Sequence, residues 1–273
     1  DLGKSNPDVV VLGGDVSGSV RTDMFRDAYP ERFFSVGIAE QDMMGTAAGL
    51  ALAGKIPFAS TYGEFATGRP FDQIRQSIAY SVMNVGIMRI LPHMNVITPV
   101  DYNQTYRAII ECTKVNEPFY IRFYRDNSPN YTNPKAPFKF GKADTLYEGS
   151  DCTIIASGLM VWESMMALEM LAKDKISVRL INMHTIKPID RDAIIKAAKD
   201  TGCIVTCEDH QKRGGLGGIV AEVLAEEYPT PVEFIGANDT FGESGKATEL
   251  YEKYGISRHH IAEAVKRAIK RKK

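Results

Sequence analysis

The residues best placed to do chemistry are acids, arginines and aromatics set among glycine-rich stretches. Glu40 stands within FFSVGIAEQDMMGTAAGLALAG, residues 33–54, which reads as a short apolar strand, a tight turn at Gly37 and a helix opening with the acid. In a first helical turn the peptide N–H groups are free and the dipole is positive, so a carboxylate is favoured there. The helix behind it carries Gly45, Ala47, Ala48, Gly49 and Ala51, small side chains that let a neighbouring helix or a ligand come close. From the pattern alone, Glu40 is either a charge that suits the dipole of a packed helix or a group that meets a ligand. Asp15, Ser17 and Ser19 lie in GGDVSGSVRT, directly after an apolar run, and Tyr62 and Phe65 lie at the start of the next helical stretch. Aromatics at a helix start form a stacking platform or pack into a core. Arg69 and Arg75 follow, able to grip a phosphate or carboxylate bidentately or to pair with acids such as Asp72.

Two further groups have weaker claims. Cys203, Cys207 and His210 suggest a metal site, yet CIVTCED alternates as a buried strand does and the cysteines are too loosely spaced for a zinc knuckle. They are read as structural. GGLGG at 214–218 could cradle an anion, but it lacks the lysine of a P-loop and the spacing of a dinucleotide fingerprint. It is read as a tight helix start.

The elements that must position these groups alternate strand and helix. VVVLGGD is a continuous apolar run ending in glycines and an acid, as expected of a parallel strand whose carboxyl end feeds a loop. In open α/β sheets such loops hold ligands. PFAST, NVITP and PFYIRFYR continue the strands of the first half, the last placing Arg125 at its carboxyl end. Residues 126–141 hold three prolines and three asparagines with little periodicity and read as a linker. A second alternation follows: CTIIASG, SVRLINM, CIVTCED and PVEFIG as strands, separated by helical stretches, with two helices at the end. The expected fold is therefore α/β in two consecutive domains, each a mainly parallel sheet flanked by helices, over 1–130 and 131–273.

Composition narrows the function classes. The 273 residues carry 25% charged side chains and a net charge of −1, which gives no case for nucleic acid. No apolar run reaches the ~18 residues of a membrane span, and no signal peptide is visible. Four cysteines suggest no disulfide framework, so a reducing, cytoplasmic home is expected.

At RFFSVGIAEQDMMGTAAGLALAGKIPFASTYGEFATGRPFDQIR the sequence resembles the C-terminal half of transketolase, a thiamine-diphosphate enzyme. The similarity continues through MHTIKPID, TCEDH…GGLG and FGESG, covering nearly all of the chain. The resemblance implies a pyrimidine-binding domain followed by a transketolase C-terminal domain. It implies that Glu40 is catalytic, hydrogen-bonding the pyrimidine nitrogen N1′ and so favouring the imino tautomer that takes the proton from the thiazolium. Tyr62 and Phe65 match the aromatic wall around the pyrimidine. Ser19 and Arg125 match positions that hold the phosphate of the sugar substrate, and Arg69, close to an arginine of related enzymes, is the third substrate-binding residue that the resemblance implies. The implied activity is transfer of a two-carbon ketol unit between sugar phosphates, as in the pentose phosphate pathway.

The chain departs from the family twice. The module that binds diphosphate and magnesium, a glycine–aspartate–glycine strand followed by an asparagine, is not found here. Thiamine diphosphate would therefore meet this chain by its pyrimidine end, with Mg2+ on a separate N-terminal transketolase subunit, and no metal is expected on this chain. Between Ile87 and Met88 the family normally carries about 25 to 30 further residues, a glycine-rich loop that contacts cofactor and substrate; here NVGI abuts MRIL. The resemblance also implies self-association through both domains. The alternatives are an enzyme like 1-deoxy-D-xylulose-5-phosphate synthase, one like the β subunit of a 2-oxoacid dehydrogenase, or a non-catalytic assembly subunit.

Overall fold

The computed structural model describes residues 1–74, 88–89, 91–124 and 128–272. Arg75, Ile87 and Arg125 lie outside them. The contacts divide the chain into two compact units, Asp1–Met94 with Cys112–Tyr120, and Asn95–Glu111 with Ile121–Lys273.

The first unit is built on β1 (Val9–Gly13), flanked in parallel by β2 (Phe33–Ser35) and β3 (Ile56–Ser60). All five residues of β1 are buried, which explains its unbroken apolar run: a central parallel strand is covered on both faces. The register sets Gly13 beside Ser35 on one side and Ser60 on the other, so three strands end level. Before β2 come α1 (Leu2–Ser5), α2 (Asp23–Ala28) and a 3-10 turn at Pro30–Arg32. Arg32 clamps this corner: its guanidinium donates to the Gly3 carbonyl at 2.7 Å and the Asn6 carbonyl at 3.0 Å and lies 4.2 Å from the Tyr29 ring centroid. α3 (Glu40–Leu52) packs on β1 and β3, and its buried apolar residues Met43, Met44, Ala47 and Ala48 fall at i, i+4 spacing in a stripe on one face. Gly45 and Gly49 lie off that stripe, with open space where a Cβ would stand. α4 (Gly63–Gly68) follows β3, and a single turn, α5 (Phe71–Gln73), follows α4.

The second unit contains a five-stranded sheet in the order β11-β10-β7-β8-β6. Its strands are β6 (Asp144–Tyr147), β7 (Cys152–Ala156), β8 (Val178–Asn182), β10 (Ile204–Gln211) and β11 (Val232–Ala237). Four run parallel and β6 is antiparallel to β8 at the edge. α7 (Met160–Lys173) packs with α11 (Arg258–Lys270) over Cys152, Ile154, Ala156, Val205 and Cys207, while α8 (Arg191–Thr201) packs with α9 (Leu216–Glu227). Earlier in the chain come β4 (Asn95–Ile97), α6 (Tyr102–Cys112) and β5 (Phe119–Ile121). α10 (Ala247–Lys253) lies near the end of the chain. β4 pairs antiparallel with β9 (Thr185–Lys187). Glu163 ties α7 to the start of α11, accepting from the Arg258 backbone N–H at 3.0 Å and from its guanidinium at 2.7 Å.

The α/β class with mainly parallel sheets is as the sequence implies. Two strands were not legible as such: β6 and β9 are antiparallel pieces of 4 and 3 residues, too short to show a pattern of their own. Part of the expected linker is pinned to the second unit: Asp101 accepts from the N–H groups of Tyr131 and Thr132 and from the Thr132 hydroxyl. Among the described residues no helix is long and apolar enough to cross a membrane.

Candidate active site

The level ends of β1, β2 and β3 make the rim of the site. Gly14 stands close to the chain beyond β2 and β3: a Cβ built on it would lie 3.4 Å from the Gly37 carbonyl and 3.8 Å from the Thr61 hydroxyl. Gly37 itself has φ +68°, a conformation that glycine adopts without cost. It turns the chain from β2 into α3 and so delivers Glu40 to this rim. The Thr61 hydroxyl is buried and has no hydrogen-bond partner among the described residues.

Glu40 is the first residue of α3 and only 3% exposed. No side chain caps that helix, so its acid lies at an uncapped N-terminus. Nη1 of Arg69 approaches both carboxylate oxygens, at 3.0 and 3.1 Å. The same guanidinium lies 3.9 Å from the Phe65 ring centroid. Phe65 in turn meets Tyr62 edge-on, with centroids 5.9 Å apart and planes at 65°. Gln41 Nε2 donates to the Arg69 carbonyl at 3.1 Å, fixing the backbone of the arginine against α3.

The structure thus brings four of the six expected site residues together: Glu40, Tyr62, Phe65 and Arg69. Ser19 is exposed on the loop after β1, where its N–H donates to the Val16 carbonyl, and among the described residues no hydrogen bond joins it to the Glu40 group. Beside that loop is a cavity of about 390 Å³ lined by Asp15, Ser17, Gly18, Arg26, Pro30, Phe33 and Ser35. Arg125 lies outside the described residues. The arrangement offers a buried carboxylate and an aromatic face that share one guanidinium, a pair of groups suited to hydrogen-bonding and stacking a flat heterocycle.

The glycine-rich stretch of the second unit does hold an acid, and the acid is internal. The N–H groups of Leu216 and Gly217 each donate to the Glu208 carboxylate at 2.8 Å. A Cβ on Gly215 would lie 1.9 Å from Glu208 Oε2, so the glycine is required by the acid beneath it. Burial pushes Glu208 up to about 7, against the two backbone hydrogen bonds that favour its charge. Next to it, Asp209 makes a bidentate pair with Arg122 at 2.8 and 2.9 Å. Burial works to raise Asp209, but Arg122 prevails and holds it below the usual carboxylate value. These residues were missed as a group, although TCEDH ahead of GGLGG is a strand end facing a helix start. Cys203 and Cys207 are free, buried thiols, and burial raises Cys207 to about 12. No group of metal-ligating side chains occurs among the described residues.

Two family models match the chain: the transketolase pyrimidine-binding domain over residues 1–93 and the transketolase C-terminal domain over 141–261. The chain is 43% identical to a Methanocaldococcus jannaschii protein described as a transketolase C-terminal section, with 99% of this chain and 93% of that protein aligned. It is 35% identical to an apulose-4-phosphate transketolase subunit of Phocaeicola vulgatus (99% and 95% aligned). It is 36% identical to the 6-deoxy-6-sulfo-D-fructose transketolase subunit SqwH of Clostridium sp. strain MSTE9 (97% and 89%). Among solved structures it is similar to a split-gene transketolase described as an inactive beta4 tetramer. That match has a TM-score of 0.94 at 43% identity, covering 100% of this chain and 95% of that one.

Proposed function

This chain belongs to the transketolase family, and from that premise we propose that it is the C-terminal subunit of a split, thiamine-diphosphate-dependent transketolase. It would transfer a two-carbon ketol unit between sugar phosphates in the cytoplasm and be active only with an N-terminal subunit. That partner would hold the diphosphate and Mg2+. Residues 1–130 would form the pyrimidine-binding domain and 131–273 the C-terminal domain. The observation that carries the reading is the buried Glu40 carboxylate at an uncapped helix start, joined through the Arg69 guanidinium to Phe65 and Tyr62.

The residues present fit the pyrimidine end of the cofactor. Glu40 would hold a proton at the ring nitrogen, which needs a carboxylate kept from bulk water, and it is that. Phe65 and Tyr62 would provide the apolar wall, and the Thr61 hydroxyl, without a hydrogen-bond partner among the described residues, is a further polar group at the same rim. Thiamine diphosphate, when bound, supplies a carbon nucleophile able to cleave the bond beside a ketose carbonyl. Ser19 and Arg125 would receive the sugar phosphate, Arg125 by a two-pronged charge-assisted contact.

The sugar is the open part of this reading. Relatives at 36% and 35% identity are named for a sulfonated fructose and for apulose 4-phosphate, which favours a second reading with a donor other than a common pentose phosphate. Reconstitution with the N-terminal subunit, thiamine diphosphate and Mg2+ tests both. Xylulose 5-phosphate with ribose 5-phosphate is offered against pyruvate with glyceraldehyde 3-phosphate, and then a panel of ketose donors. Ketol transfer supports the proposal. Turnover of the pyruvate pair alone would move the chain to the synthase-like alternative.

A further inference from the structure

Arg69 makes, at once, both of the contacts that the proposed function gives to the pyrimidine ring. It donates to the two oxygens of Glu40 and lays a flat, delocalised cation 3.9 Å from the Phe65 ring centroid. A pyrimidine hydrogen-bonded to Glu40 and stacked on Phe65 would need the same carboxylate and the same aromatic face. We propose that Arg69 is an internal competitor of the cofactor, a displaceable plug that covers Glu40 and Phe65 and is exchanged for the pyrimidine on binding. This deepens the reading of Glu40 and Phe65 as cofactor contacts and rests on it.

The geometry suits an exchange. The Arg69 side chain is 46% exposed whereas that of Glu40 is 3% exposed, so the arginine has solvent to move into and the acid does not. The arginine backbone is held by Gln41, so the side chain can leave without moving the helix that carries Phe65. A buried carboxylate left without a partner is costly, and direct replacement of guanidinium by ring keeps Glu40 partnered throughout. The guanidinium end of the pair is half-exposed and competes with water, which lets a ligand displace it. Exchange is also chemically necessary: with Nη1 bridging both oxygens, Glu40 is not free to hold a proton for a ring nitrogen.

The test measures binding rather than turnover. Thiamine diphosphate with Mg2+ is titrated calorimetrically into the complex of this chain with its N-terminal subunit, for the parent, Arg69→Gln, Arg69→Lys and Glu40→Gln. Removing a competitor raises the competent fraction, so Arg69→Gln lowers Kd on the order of tenfold. Arg69→Lys, which keeps the charge but loses the flat face, falls between it and the parent. Glu40→Gln raises Kd. If Arg69→Gln leaves Kd unchanged or raises it while Glu40→Gln still weakens binding, the plug is refuted and the cofactor site stands. An unchanged Kd for Glu40→Gln would remove the site reading and the plug with it. In the isolated chain, a double-mutant cycle of positions 40 and 69 followed by thermal unfolding shows a favourable interaction, and additive effects there would contradict the proposal.

Discussion

At the scale of single residues, burial decides what each ionisable group does. Glu208 and His184 are both buried and shifted in opposite senses: Glu208 up to about 7 from 4.5, and His184 down to about 4 from 6.5, in each case chiefly by desolvation. The raised carboxyl stabilises the fold fully below pH 4.5 and loses that contribution as pH rises through about 7, a change of about 3 kcal/mol. The depressed imidazole stabilises it above pH 6.5 and loses that contribution as pH falls through about 4. In urea unfolding, Glu208→Gln therefore gains stability relative to the parent between pH 4.5 and 7. His184→Asn loses less stability than the parent between pH 6.5 and 4. A difference independent of pH in either variant would show that the group titrates alike in folded and unfolded chains. Neither shift was legible in the sequence, because both arise from side chains brought together from distant positions. Glu40 was legible as an acid at a helix start, and the GIAEQ resemblance gave it a role; that Arg69 lies on its carboxylate was not foreseen.

At the scale of elements, glycines mark where backbone meets something fixed. Gly215 opens α9 over the Glu208 carboxylate, and Gly149 admits a Cβ only within 2.2 Å of the Val178 carbonyl carbon. Gly215→Ala is expected to destabilise the chain by about 1 to 3 kcal/mol, read as a lower urea midpoint, because neither helix start nor acid can withdraw. An unchanged midpoint would mean that the helix start is looser than the geometry states. The sequence indicated a tight helix start here, and its partner is an acid within the same unit. The parallel strands were readable because full burial imposes an unbroken apolar run, as in VVVLG and CTIIA. β6 reads DTLY, an edge strand with alternate residues exposed, and so short that only its pairing with β8 defines it.

At the scale of the molecule, the proposed function assigns half of the expected chemistry to an N-terminal partner. α3 is packed by Met43, Met44, Ala47 and Ala48, while Ile38 and Leu52, at 71% and 90% exposed, flank its open glycines. Such a face suits a closely packed subunit, in keeping with the self-association that the resemblance implies and with the proposed N-terminal partner. The isolated chain is expected to sediment as an oligomer and to show no ketol transfer with thiamine diphosphate and Mg2+ alone. A monomer in sedimentation velocity would contradict the first expectation, and turnover without a partner the second. The proposed division of the cofactor between chains rests on a diphosphate-and-magnesium module that is not found in this sequence. No local feature of the α/β fold announces it.

The most direct measurement of the central claim is ketol transfer by the complex reconstituted with Glu40→Gln. Gln keeps the size and a hydrogen bond but holds no exchangeable acid proton, so the rate should fall by a factor on the order of 100 to 10,000 while the complex still assembles. A Glu40→Gln complex that turns over as fast as the parent would contradict the account at its root.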